Sequence, residues 1–142
     1  ISRARERAGR RNPRAVTCAP PSPALEIIPR SRWCDFLPRG VSAAPHPPGI
    51  PHVVHWFGPG RAAEGREAGI EQVLGFARYH RFTLGWADLA YNFAILRDGA
   101  VLEGRGDNVR GAHSGHNTAN GYPGVLVVCG TETPAPNERQ LE

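Results

Sequence analysis

The sequence has no methionine and no lysine, and its three cysteines are too few and too unevenly spaced to build a disulfide framework or a zinc ribbon. All 17 basic residues are therefore arginine, a bias that points to GC-rich coding rather than to a physical need. With no initiating residue, the chain is expected to be a piece of a longer product. No apolar run approaches the roughly 20 residues that a membrane-spanning helix requires. The opening residues are Arg-rich without an apolar stretch, so they do not read as a secretory signal, and the route of export is not legible. There is no Gly-x-Ser-x-Gly, no phosphate-binding glycine loop and no Cys-x-x-Cys, which removes the commonest serine-hydrolase, nucleotide-binding and thiol-redox readings. Cys18, Cys34 and Cys129 cannot all pair within the chain.

What is present suits one modest domain. The 142 residues are 40% apolar, and 17 Gly with 14 Pro imply many turns between short elements. The net charge of +4 is concentrated in Arg3, Arg5, Arg7, Arg10, Arg11 and Arg14. Such a segment could touch nucleic acid, a membrane surface or an anionic wall polymer, or simply be a solvated extension. Residues 1–24 are accordingly assigned as a disordered Arg/Pro-rich tail and linker, and 25–142 as the folded domain.

Order is expected to begin at Leu25–Ile28. Leu37 to Pro51 holds five prolines and reads as loop. Val53–Phe57 reads as a strand between Pro51 and Gly58-Pro59-Gly60. Ile70, Val73, Leu74 and Ala77 follow helical spacing, so Arg66 to about His80 is predicted as an amphipathic helix. Asp98-Gly99 between Asn92–Leu96 and Ala100–Glu103 is a strong hairpin signal. Val125–Val128, apolar on both faces, is predicted as a central strand. The order strand, helix, hairpin, strand gives an α/β domain with a mixed central sheet flanked by helices. Asn137–Glu142 looks like the first turn of a helix that does not continue. One sheet face is therefore expected to be poorly covered, with the C-terminal helix missing.

Several residues could carry chemistry. His55 sits mid-strand, as a hydrogen-bonded core histidine or as a metal ligand; alternation puts His52 on the other face. His113 and His116 bracket Ser114-Gly115 in a Gly-rich loop that does not impose chelating geometry. Cys129 is a ligand or a small buried hydrophobe. Tyr91 is a packing residue or a phenol able to donate to a polarised carbonyl oxygen. Arg105 either clamps an anion or pins its loop to a backbone carbonyl.

Together these segments resemble one family. Arg30-Ser31-Arg32-Trp33 resembles the Arg-Ser-x-Trp entry of peptidoglycan recognition proteins and related phage lysins, and Val53-Val54-His55-Trp56 resembles their zinc-ligand strand. The run from His80 through Gly85-Trp86-Ala87-Asp88, Tyr91-Asn92-Phe93, Asp98-Gly99 and Glu103-Gly104-Arg105-Gly106 to Gly111-Ala112-His113 is similar to the family's centre segment by segment. The resemblance covers about residues 26 to 136.

The resemblance implies a peptidoglycan recognition protein-like amidase fold and a zinc-dependent N-acetylmuramoyl-L-alanine amidase. That activity hydrolyses the lactyl–L-alanine amide of peptidoglycan and would degrade cell wall, acting at the wall or outside the cell. The alternative it carries is a non-catalytic module that binds muramyl peptide. It places His55 at the first zinc ligand and Tyr91 at the catalytic tyrosine. His80, His113, Asn117, Trp56 and Arg105 fall at substrate-binding positions. No nucleic-acid partner is implied. Phe57 replaces a small hydroxyl residue, Ala90 replaces a common Gly, and the loop between His113 and Asn117 is one residue short. The family's other two ligands, a His and a Cys or Asp, lie beyond Glu142, so the expected site is incomplete and the chain as written is expected to have little activity.

Overall fold

A computed structural model describes residues 25–142. The tail and linker assigned to residues 1–24, with Cys18, lie outside the described residues.

The first strand, β1 (Ile27–Ile28), leads into a single helical turn at Arg30–Arg32. The proline-rich stretch that follows forms no named strand or helix, as its composition predicts. It is joined to the rest by an isolated bridge from Ala43 to Val109 and by backbone bonds such as Arg39 N–H to the Ala87 carbonyl. β2 spans Val53–Phe57, as read from the sequence. The helix α1 runs Arg66–Arg78, with Glu67 in its first turn and Arg78 in its last, charges that suit the helix dipole. It buries Val73, Leu74 and Ala77, while Ile70 packs at the margin. The α-helix ends at Arg78, close to the expected His80, and the chain passes into a π-helical turn, Tyr79–Thr83, whose wider backbone resets the direction of the side chains that follow.

The hairpin forms as expected, from β3 (Phe93–Ile95) and β4 (Val101–Glu103), antiparallel. Its turn is closed by Gly99 N–H donating to the Leu96 carbonyl, and by Ala100 N–H donating to the Asp98 carboxylate. β5 (Gly124–Val128) completes a five-stranded mixed sheet in the order β1-β4-β3-β5-β2. β5 is interior, paired in parallel with both β2 and β3, and this is why both of its faces are apolar. β2 is the edge. The predicted last turn is α2 (Glu138–Leu141), started by a capping box between Asn137 and Gln140. The Gln140 amide also donates to the carbonyls of Ile95 and Val128, tying this turn to the strand ends.

Register decides which face each residue serves. His55 pairs with Leu126, Leu126 with Ala94, and Ala94 with Leu102, so these share one face. Leu126, Ala94 and Leu102 join Val73, Leu74 and Ala77 of α1 in one core with Trp33 and Leu89. The opposite face carries Val54, Trp56, Phe93, Ile95, Val125 and Val127. Its cover is uneven, as the sequence suggested: Val127 is buried, whereas Val54 is 50% and Trp56 60% exposed.

Behind the sheet, a polar girder joins the entry turn to the segment before β3. The Arg30 guanidinium donates to buried Asp88 at 2.7 Å, and it lies against the rings of Trp33 and Phe36. Trp33 donates its indole N–H to the Glu103 carbonyl. The Arg-Ser-x-Trp entry is thus a packing and ion-pair device in this fold.

Candidate functional site

The side chains that could do chemistry converge at the α1 face of β2. His55 comes from β2, His80 from the π-helical turn, Tyr91 from the residue preceding Asn92 and β3, and His113 from the loop before β5. The ring centroid of His55 lies 5.6 Å from Tyr91 and 5.0 Å from His113, and His80 is 6.4 Å from Tyr91. His80 also stacks on Trp86 at 4.9 Å. An apolar cavity of about 340 Å³, lined by Phe57, Phe76, Tyr79, His80, Tyr91 and Leu126, opens beside them. A second hollow of about 470 Å³ follows the β2 edge and is lined by His55, Trp56, Phe57 and Tyr91. Phe57 and Tyr91 border both, so the two form one bent cleft.

The hydrogen bonds are specific. His55 Nε2 faces His113 Nδ1 at 3.0 Å, and His113 Nε2 faces the Tyr122 carbonyl at 3.0 Å. The Ala90 N–H donates to His80 Nδ1 at 3.2 Å, which leaves that nitrogen as the unprotonated one. Room for the His113 ring is made by two glycines. A Cβ on Gly124 would fall 2.1 Å from its Cδ2, and one on Gly111 would fall 2.5 Å from the same atom. Gly124 is itself held by Asn92, whose side-chain oxygen accepts from the Gly124 N–H.

Burial sets the charge states. It pushes the Tyr91 phenol up, so that Tyr91 stays a hydrogen-bond donor. It pulls His55 down, helped by His113. His80 is pulled down by burial and then by Arg105. His113 is lowered by burial against the opposing effect of the Tyr122 carbonyl. All three imidazoles therefore favour the neutral form in the fold. Since the unfolded chain takes up protons near the ordinary histidine value of about 6.5, it gains more protons than the folded chain as pH falls through that range. Their contribution is complete above that value and lost below it. Thermal melts from about pH 8 to about pH 5 should show Tm falling with pH. A Tm that stays level or rises towards the acid end would mean that the three rings charge freely in place.

The other sequence-chosen residues lie elsewhere. Arg105 donates through Nε to the Leu89 carbonyl at 2.6 Å and through Nη1 to the Arg110 carbonyl at 2.8 Å, so of its two readings the pin to backbone is the one realised. It borders a separate cavity of about 430 Å³ with Trp86, Arg110 and Asn120. Asn117 is exposed, and both its carbonyl and its side-chain oxygen accept from Arg110. Trp56 points to the opposite sheet face and reaches the cleft only around the β2 edge. His116 is exposed and separate from His113, so the two do not chelate. Cys129 is buried at the end of β5, as the small hydrophobe it could have been.

Sequence reasoning passed over Asn92, although it is fully buried and ties three backbone groups together. It also missed Phe76 and Tyr79 as cavity wall; the three-residue steps from Val73 to Phe76 and on to Tyr79 were the available signal. Among the described residues no group of three His, Cys, Asp or Glu side chains is placed to hold a metal ion. No helix among them is long and apolar enough to cross a membrane.

No family model matches the chain. Individual proteins do. Mouse peptidoglycan recognition protein 1 is 38% identical over 89 residues, which cover 63% of this chain and 48% of the mouse protein. A human N-acetylmuramoyl-L-alanine amidase is 35% identical over 117 residues, 81% of this chain and 20% of that one. The chain thus spans about half the length of the first and a fifth of the second. Among solved structures, tracheal cytotoxin bound to the ectodomain complex of peptidoglycan recognition proteins LCa and LCx superposes with a TM-score of 0.69. That match has 33% identity and covers 81% of this chain and 68% of that one. The shared fold and these identities together place the chain in the peptidoglycan recognition protein family.

Proposed function

We propose that this domain binds the muramyl-peptide part of peptidoglycan in the bent cleft between the β2 edge and the π-helical turn. The observation that carries the reading is the gathering of His55, His80, Tyr91 and His113, from four separate segments, beside an apolar cavity that His80 and Tyr91 line and a hollow that His55 and Tyr91 line. An apolar recess rimmed by a few convergent polar groups is the usual form of a small-ligand site. The solved relatives LCa and LCx, which bind tracheal cytotoxin, support the choice of ligand. Action at the cell wall or outside the cell follows from that ligand.

Co-sedimentation with insoluble peptidoglycan tests it. The wild-type chain should pellet with the polymer, and Tyr91→Ala should weaken binding about 10- to 30-fold, the usual cost of removing a central aromatic anchor. A folded wild-type chain that stays in the supernatant would overturn the proposal.

Hydrolysis of the lactyl–L-alanine amide is the finer reading of the same cleft, and one observation favours it. Tyr91 is kept protonated beside His55, where a phenol O–H can donate to a developing oxyanion. Zinc would be the expected Lewis acid, with His55 as one ligand. A catalytic zinc takes three protein ligands, however, and the donors among the described residues do not by themselves compose such a site.

A further inference from the structure

We infer that the Tyr122 carbonyl, acting through His113, fixes the tautomer of His55 so that the His55 lone pair sits on Nδ1, which makes His113 a positioning residue for His55. The direction of each hydrogen bond fixes the assignment. A carbonyl oxygen can only accept, so the nitrogen 3.0 Å from it, His113 Nε2, must carry the hydrogen. In a neutral ring Nδ1 is then bare. His55 Nε2, 3.0 Å from that bare nitrogen, must in turn be the donor. A neutral His55 is left with its only lone pair on Nδ1. Two rings 58 residues apart in sequence are thus set by one backbone oxygen.

The cradle of the His113 ring supports the assignment. Gly111 and Gly124 let the ring lie against their backbones, where any Cβ would collide with it. Turning the ring by half would set carbon atoms against both the Tyr122 carbonyl and His55, and both bonds would be lost. The family resemblance gives His113 a contact with muramyl peptide. Here both of its nitrogens are engaged within the protein, so neither is free for a ligand. A ring nitrogen whose partner is oriented through a carbonyl is the arrangement that prepares an imidazole to act as an acceptor or a ligand. The inference rests on the proposed cleft only for what finally meets His55 Nδ1. The tautomers themselves are a property of the protein alone.

Long-range proton–nitrogen NMR of the labelled chain at about pH 8, above the ordinary histidine range, reads each ring nitrogen as bare or protonated, without peptidoglycan. His55 and His113 are both expected to show a protonated Nε2 and a bare Nδ1. In His113→Ala the two His55 nitrogen signals should move towards each other as the ring samples both tautomers. His113→Gln, whose amide offers an acceptor and a donor about as far apart, should restore the split. A protonated Nδ1 on wild-type His55, or a His55 split unchanged in His113→Ala, would overturn the inference. Should the alanine chain fail to fold, the wild-type spectrum and His113→Gln still decide it. Failure to bind peptidoglycan would leave the tautomer result untouched, so the two claims fail separately.

Discussion

Replacing Asp88 with alanine is expected to destabilise the chain by about 3–5 kcal/mol, the usual cost of stranding one partner of a buried ion pair. The Asp88 side chain is 2% exposed and that of Arg30 15%, so the carboxylate has no water to fall back on and the guanidinium has little. Arg30 is further fixed by the rings of Trp33 and Phe36 and cannot leave without unpacking them. Urea unfolding should show the midpoint falling by more than about 1 M, given slopes near 1–3 kcal/mol per M for domains of this size. The double variant Arg30→Met with Asp88→Leu is expected to lose less than Asp88→Ala alone, because it removes the orphaned charge as well as the bond. A loss under about 1 kcal/mol for Asp88→Ala would mean that Arg30 swings to solvent and that the pair contributes as little as a surface pair does.

Asn92→Ala is expected to be nearly as damaging, for a different reason. The amide of Asn92 donates to the carbonyls of Gly106 at 2.7 Å and Val109 at 2.8 Å, and its oxygen accepts from the Gly124 N–H at 2.8 Å. Truncation leaves three backbone groups without their partner in a site that is 0% exposed. At about 1–3 kcal/mol for each buried unsatisfied group, the sum is about 3 kcal/mol or more. Asn92→Asp is the sharper test. It keeps the acceptor for Gly124 but turns a second oxygen towards two carbonyl oxygens, so it should be at least as destabilising as alanine. If aspartate were tolerated, the amide donors would be shown to be dispensable. Because Gly124 also borders the His113 ring, both variants should disturb the His55–His113 pair even in the fraction that remains folded.

These two residues show where local reading runs out. Asp88 and Asn92 stand inside the motif runs that carried the resemblance, yet neither had a role until its partners were placed. Arg30 and Asp88 are 58 residues apart, and Asn92 and Gly124 are 32 apart. Arg105 shows the same limit from the other side. Its chemistry allowed an anion clamp or a backbone pin, and only the positions of the Leu89 and Arg110 carbonyls separate the two.

The elements themselves were legible because their causes are local. Apolar run and flanking prolines mark β2, helical spacing marks α1, and Asp98-Gly99 marks the hairpin. A run apolar on both faces marks β5 as interior. Each signal is a periodicity or a turn preference that acts between residues a few positions apart. The resemblance gave the candidates their roles and added His80, Asn117 and Trp56. Of the whole set, His55, His80, Tyr91 and His113 are brought together, while Arg105 and Asn117 are engaged elsewhere. What the tertiary structure alone decided is which nitrogen faces which oxygen. The continuation of α1 into a π-helical turn, the glycine cradle of His113 and the chain of bonds from Tyr122 to His55 all depend on groups far apart in sequence. Hydrogen-bond direction is a property of pairs, and a linear pattern contains only one member of each pair at a time.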